Sequence, residues 1–169
     1  GDRAPPHRPA EAGRRVSDDR EAWAALDREL DAWGAAGRAA ELWWRDDDAV
    51  APSPQLDRLL DLAAACGAPL ALAVIPAAAQ ADLAARLEEH AEVTVLQHGW
   101  AHRNNAAEGA KKCELVDPAL CPGLPEDLRR GRRRLEEIFG ARFRPVLVPP
   151  WNRIDPALLP RLPGLGFTG

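Results

Sequence analysis

Two short motifs contain side chains whose types and spacing could do chemistry together. The motif RDDDA holds three consecutive aspartates, Asp46, Asp47 and Asp48, and the motif HGWAH holds His98 and His102, four positions apart. Adjacent carboxylates repel one another and raise the pKa of at least one of them, so a run of three needs a reason. Two imidazoles and one carboxylate are a common three-point site for a divalent metal, with positions left open for water.

Each motif also has a simpler explanation. The HxxxH spacing alone is weak, because two unrelated surface or core histidines would produce it as well. The aspartates could form a solvated turn, or a cap for the helix that begins at Ser53 and Pro54. A single Asp would suit such a role, whereas three in a row after the apolar letters LWW suit it poorly. The place of both motifs in the predicted fold favours a metal centre.

The elements that must position these motifs alternate between strand and helix. Short apolar runs predict strands over residues 40–46, 69–75, 92–97 and 145–149, and a fifth strand begins in GLGFTG at residues 164–169. Strands with little polar alternation, separated by helices, predict an α/β fold with a parallel sheet covered by flanking helices. The aspartates follow the first strand, His98 the third, and Pro150 and Trp151 the fourth. Carboxyl ends of parallel strands form the working face of such folds, so we expect these residues to lie close together.

Helical spacing of apolar residues predicts helices that begin near Asp18, Ser53, Ala77, Pro125 and Asp155. The run RRGRRR at residues 129–134 could bind an anionic polymer, but acidic residues flank it on both sides. We interpret it as the outer face of a helix.

Length and composition limit the possible classes of protein. The chain has 169 residues, a net charge of −4 and 46% hydrophobic residues, enough for one domain with a real core. Residues 1–16 are rich in Pro, Arg and Ala without apolar periodicity and are interpreted as a flexible tail, which leaves residues 17–169 as the domain. The sequence contains no Met, so we interpret it as a fragment.

The same features bear on partners and compartment. Mild acidity argues against nucleic acid as a partner. No apolar run reaches the roughly 20 residues of a membrane span, so no membrane association is expected. Three cysteines without a CxxC spacing indicate a reducing compartment. No signal peptide is visible, so we expect a cytoplasmic protein.

The motifs RDDDA, HGWAH and VPPWN, in this order, resemble those of the polysaccharide deacetylases of the NodB homology type, carbohydrate esterase family 4 and its divergent relatives. The resemblance implies that Asp47 is the general base and Asp48 a metal ligand. A register one residue earlier would select Asp46 and Asp47 instead. The HxxxH motif would supply two further ligands, His98 and His102.

The third motif of that family lines the substrate pocket, and here it contains Pro150 and Trp151. Trp100, inside the histidine motif, could offer a sugar a stacking surface or could wedge its loop against the barrel. The family's third motif usually carries an Arg two residues before its Pro, a place that Val148 occupies here. How the base aspartate is held is therefore an open question for the structure.

The resemblance covers residues 40–169, roughly the first two thirds of such a domain. It implies a partial (β/α) barrel that binds a divalent metal, zinc. It also implies a hydrolase that removes N-acetyl groups from a carbohydrate substrate and so cleaves a carbon–nitrogen bond other than a peptide bond. The family's fifth motif supplies a histidine as general acid, and no counterpart follows in this sequence. We therefore expect the fragment to be weak or inactive alone. A barrel cut in this way exposes an edge, so self-association of the fragment is also expected.

Two other functions stay open at this stage. One is a catalytically inactive relative that binds carbohydrate or acts as a scaffold, which Val148 and the missing acid would suit. The other is a metal-dependent amidase that acts on a non-sugar substrate, because the residues that select substrate lie in loops.

Overall fold

The computed structural model describes residues 12–169, with side chains from Asp19 onwards. The chain divides into two compact units after Leu42. The described part of the first unit is one helix, α1 (Ala12–Ala35), followed by a short segment to Leu42. Of the predicted tail, residues 1–11 lie outside the described residues, whereas residues 12–16 belong to α1. The helix therefore begins earlier than the predicted start at Asp18, before any apolar periodicity is visible in the sequence.

The second unit, Trp43–Gly169, is built on a four-stranded sheet. Its strands lie side by side in chain order and are all parallel: β1 (Trp44–Ala49), β2 (Leu70–Val74), β3 (Val93–His98) and β4 (Phe143–Val148). The predicted α/β fold with a parallel sheet and flanking helices is confirmed.

The position predicted for the first strand was wrong. Residues 40–43 lie before the strand, and Leu42 and Trp43 are exposed. The strand instead runs from Trp44 through the aspartates. It pairs with β2 as far as Asp46 opposite Leu72, then resumes with Ala49 opposite Val74, so β1 carries one extra residue in this interval. A bulge of this kind bends the strand and re-aims its side chains.

Three helices of four or more residues connect the strands of this unit: α2 (Pro54–Cys66), α3 (Ala81–Arg86) and α4 (Leu124–Phe139). The predicted start of α2 is confirmed, because Ser53 Oγ accepts a hydrogen bond of 3.1 Å from the backbone N–H of Leu56 and Pro54 stands in the first turn. Short 3-10 turns occupy Pro76–Ala78, Gly140–Arg142, Leu159–Arg161 and Pro163–Leu165, and a tight turn with positive φ at Trp151 and Asn152 occupies Pro150–Asn152.

Two predicted helices and one predicted strand were wrong in extent or kind. The helix expected over residues 77–90 is a 3-10 turn followed by the short α3. The helix expected over residues 155–162 is reduced to one 3-10 turn, because Pro156 and Pro160 cannot donate helical hydrogen bonds. No strand forms within residues 164–169, although Thr168 N donates to Pro145 O and Leu147 N donates to Gly169 O, each at 2.8 Å.

The main core lies between one face of the sheet and the three helices. Its members are buried apolar side chains that alternate along the strands and repeat along the helices, including Leu56, Leu60, Leu72, Leu83, Val95, Leu135 and Phe139. This packing fixes the carboxyl ends of β1, β3 and β4 relative to one another, and those ends carry the motifs. Across residues 12–169, no helix combines the length and the apolar character that crossing a bilayer requires.

Candidate metal centre

Three side chains from the two motifs meet at one point. Asp48 Oδ1 lies 3.2 Å from His98 Nε2 and 3.3 Å from His102 Nε2. One ligand atom from each of the three residues lies within 4.8 Å of the others. Zinc bonds of about 2.0–2.1 Å in a tetrahedral arrangement separate neighbouring ligand atoms by about 3.3–3.4 Å. The spacing therefore fits a shared divalent metal, and the 60% exposure of the Asp48 side chain leaves that point open to solvent.

The protonation of His98 suits a metal ligand. His98 is the last residue of β3 and is buried, and its Nδ1 lies 3.1 Å from the carbonyl oxygen of Val148 on β4. A carbonyl can only accept, so Nδ1 carries the proton and the lone pair of Nε2 faces Asp48. Burial lowers the pKa of His98, while the charges of Asp47 and Asp48 act in the opposite direction. The neutral imidazole is the form that coordinates a metal.

The donor set itself supports a cation at this point. With its proton on Nδ1, His98 presents an acceptor nitrogen to the acceptor oxygen of Asp48, 3.2 Å away. Two acceptors at this distance repel each other unless a positive charge lies between them. A divalent cation would remove the conflict and bring in His102 as the third ligand.

Backbone strain is concentrated around this group. Among residues 12–169, four residues other than glycine have positive φ: Asp48 at 71°, His102 at 53°, Trp151 at 54° and Asn152 at 52°. Residues with a Cβ avoid this region, and each such conformation costs about 1–3 kcal/mol. Two of the four are members of the metal-ligand group, and the ring of Trp151 lies 4.2 Å from that of His102, centroid to centroid.

Asp47 is held by Arg45, two residues earlier on the same strand. Arg45 Nη2 donates to Asp47 Oδ2 at 3.1 Å and to Asn152 Oδ1 at 3.2 Å, while Arg45 Nε lies 2.7 Å from Asp47 Oδ1. The last contact is a charge contact without hydrogen-bond geometry, so the buried Oδ1 accepts no hydrogen bond from the described residues. Arg45 thus holds the side chain of Asp47 in place.

Asp46 has different surroundings from its two neighbours. It lies outside the metal-ligand group and lines a cavity of about 540 Å³ between β1 and α2, whose walls also include Asp47, Asp48 and Leu59. Partial burial raises the pKa of Asp46, and the charges of the next two aspartates raise it further. Of the two registers considered from the sequence, the structure brings Asp48, and not Asp47, to the two histidines.

The remaining predicted site residues lie in or beside the loop that follows β3. Pro150 is buried, and Trp151 is half-buried against His102. Trp100 has the guanidinium of Arg130 from α4 over its ring, 4.2 Å from the centroid. Trp151 therefore adjoins the metal-ligand group directly, whereas one face of Trp100 is covered by α4.

Two residues at the site were missed in the sequence. A signal for Arg45 was present, because residues two apart on a strand face the same side and Arg45 stands two before Asp47. Glu114 had no such signal. It is buried in the long loop between β3 and α4, twelve residues from His102, and yet contacts the backbone of the histidine motif.

No model of a known protein family matches the chain. No protein with a curated description matches its sequence.

Proposed function

We propose that the chain is a metal-dependent hydrolase of the polysaccharide deacetylase type, which removes N-acetyl groups from a carbohydrate and is built on a (β/α) barrel. The observation that carries the proposal is the convergence of Asp48, His98 and His102 on one point, with Asp47 on the same bulged strand. The order of the motifs RDDDA, HGWAH and VPPWN along the chain supports the choice of family.

The ligand set favours zinc. Two imidazole nitrogens and one carboxylate oxygen, with an open side toward solvent, are typical of catalytic zinc sites. A divalent cation bound there would supply Lewis-acid chemistry, because it polarises an amide carbonyl and lowers the pKa of water.

Asp47 is proposed as the general base that takes a proton from the attacking water. Its Oδ2 accepts a hydrogen bond from Arg45 Nη2, and its Oδ1 lies 2.7 Å from Arg45 Nε. Arg45 therefore fixes the carboxylate through both oxygens, and Asn152 Oδ1 accepts a second hydrogen bond from Arg45 Nη2. A base must be held within hydrogen-bond reach of the proton it removes, and this chain of contacts provides the constraint.

The surroundings offer room for a sugar. The cavity of about 540 Å³ beside the aspartates falls in the range of small-molecule sites. The half-buried ring of Trp151 does not line this cavity, but it packs against His102 and offers an apolar wall beside the metal-ligand group. The acetylated sugar unit is proposed to lie between this wall and Asp47.

The test combines metal binding with acetate release. The purified protein should bind one equivalent of Zn²⁺, and the zinc-loaded protein should release acetate slowly from N-acetylglucosamine oligomers. Asp47→Asn should abolish release and keep zinc, whereas Asp46→Asn, the same change one residue earlier, should alter neither strongly. Acetate release from N-acetylated amines but from no sugar would identify an amidase instead. Absence of zinc binding would favour an inactive carbohydrate-binding or scaffold protein.

A further inference from the structure

Glu114 has a buried carboxylate whose two oxygens accept hydrogen bonds from the backbone of a single turn. Oε1 accepts hydrogen bonds from Ala101 N at 2.8 Å and Arg103 N at 3.3 Å, and Oε2 accepts from Trp100 N and His102 N, both at 3.2 Å. The residue is 1% exposed. Four consecutive N–H groups therefore point at one side chain, and each oxygen receives two of them, its full capacity.

The turn that Glu114 binds is the one that carries a metal ligand. His102 has positive φ, and so does Gly99 at its other end. A Cβ added to Gly99 would meet Glu114 Oε2 at 2.0 Å and Pro150 Cγ at 2.7 Å. Only glycine allows the backbone to approach the carboxylate this closely, so the loop and Glu114 are fitted to each other.

Glu114 is itself fixed through the backbone of its own segment. Asn105 Nδ2 donates to the backbone oxygen of Glu114, and Asn105 N donates to Cys113 O, each at 2.8 Å. The next residue, Leu115, is fully buried, and its carbonyl accepts from Asp155 N at 2.8 Å. The carboxylate is thus a rigid template rather than a mobile surface group.

We propose that Glu114 is a positioning residue for metal binding: its carboxylate holds residues 100–103 in the turn, left-handed at His102, that places His102 Nε2 opposite Asp48 and His98. The inference rests on the proposed metal site, and it assigns Glu114 no contact with metal or substrate. Without the carboxylate, four backbone N–H groups lose their acceptor and the strained φ of His102 is no longer compensated. His102 would then sample other positions, and the cost would appear as weaker metal binding.

The experiment compares Glu114→Gln with Glu108→Gln, the same change at an exposed position of the same loop. Gln keeps the size of the side chain but turns an amide NH₂ toward N–H donors. Co²⁺, whose visible absorption reports its coordination geometry, is titrated into each protein. Glu114→Gln should weaken Co²⁺ binding about 10–100-fold, the usual cost of losing a group that orients a ligand, and should change the absorption spectrum. Glu108→Gln should bind as the wild type does.

A second readout needs no metal. In the metal-free protein, the amides of residues 100–103 should exchange with solvent slowly, because all four are bound to a buried carboxylate. In Glu114→Gln these four should exchange faster while those of β2 and β3 keep their protection. Glu114→Asp, which retains the charge on a shorter side chain, should restore part of both the protection and the Co²⁺ affinity. It also carries the test if the Gln variant does not fold.

A double-mutant cycle identifies the residue through which Glu114 acts. If it acts through His102, Glu114→Gln should cost no further affinity in a His102→Ala background, but should still cost affinity in a His98→Ala background. Wild-type Co²⁺ affinity and intact amide protection in Glu114→Gln would overturn the inference. If the wild type binds no Co²⁺, the proposed function fails, and the amide exchange alone then decides whether Glu114 holds the turn.

Discussion

The molecule contains two runs of like charge, and they are neutralised in different ways. On α4 four of the five arginines of the run pair with acids of the same helix, such as Arg130 with Asp127 at 2.8 Å and Arg132 with Glu136 at 3.2 Å. These two pairs are three and four residues apart and largely on the surface, as helical geometry dictates. The interpretation of RRGRRR as the outer face of a helix is confirmed for these pairs.

The aspartates of β1 have partners that differ from one to the next. Asp46 lines the cavity beside α2, and Asp47 pairs with Arg45. Asp48 faces two histidines that belong to β3 and to the loop after it. Successive side chains on a strand point to opposite faces of the sheet, and the bulge between Asp46 and Ala49 changes the direction of the Asp48 side chain further. A charge run on a helix can be neutralised within the helix, whereas one on a strand end must find partners elsewhere. The second situation is the one that can build a site.

The largest effect is expected from the histidines. His98→Ala or His102→Ala should lower zinc affinity by at least about 100-fold, because each removes a ligand and not merely a group that orients one. Isothermal titration of the metal-free protein measures this. His90→Ala is the matched control, since His90 interacts with Glu92 and Arg86 instead. A loss of similar size for His90→Ala would show that the effect is not specific to the site.

A smaller set of effects separates the aspartates. Asp47→Asn should reduce acetate release by about 10²–10⁴-fold, the usual contribution of a general base, and leave zinc affinity within a few-fold of the wild type. Asp46→Asn should do little to either. If Asp46→Asn stops turnover while Asp48→Asn retains zinc, the register is one residue earlier, and our assignment of base and ligand is wrong.

The pH dependence follows from the burial of His98. Its pKa in the folded protein is below the ordinary value of 6.5, so the unfolded chain binds more protons as the pH falls through that value. The free energy of unfolding of the metal-free protein should therefore decrease as the pH falls from about 7 to 5. His98→Gln should make the dependence shallower, and an unchanged slope in thermal unfolding would contradict the argument. Zinc affinity should also weaken below about pH 6, because both imidazoles must be neutral to coordinate.

The smallest effect is expected on α4. Arg133→Gln removes a charge from the exposed pair that Arg133 forms with Glu126 at 2.9 Å, and it should change zinc affinity by no more than about two-fold, since exposed ion pairs contribute little. Asp48→Asn removes one charge from the other run and should weaken zinc binding strongly. Similar losses from these two substitutions would remove the distinction between the two charge runs.

The sequence predicted the type and order of the main elements, because buried parallel strands and amphipathic helices leave strong apolar patterns. It misplaced β1 because the letters LWW look like a strand interior, although Leu42 and Trp43 are exposed and lie before the strand. It overestimated the helix at residues 155–162 because the apolar pattern was given more weight than its two prolines.

The metal-ligand group could be anticipated because its residues lie in short motifs at strand ends. The groups that hold those ligands in place could not be anticipated in the same way. Val148 holds His98 through a backbone carbonyl, which no side-chain pattern encodes. Glu114 reaches the histidine motif from a loop without regular periodicity, so only the folded chain brings them together.

X-ray absorption spectroscopy of the zinc-loaded protein tests the metal centre most directly, because it reports the atoms bound to the metal. We predict nitrogen and oxygen neighbours only, with two imidazole nitrogens at about 2.0–2.1 Å and a carboxylate oxygen at about 2.0–2.2 Å. His98→Ala and His102→Ala should each remove the signal of one imidazole. A sulfur neighbour at about 2.3 Å would show that a cysteine binds the metal. That result, or a protein that retains no zinc, would contradict a centre formed by Asp48, His98 and His102.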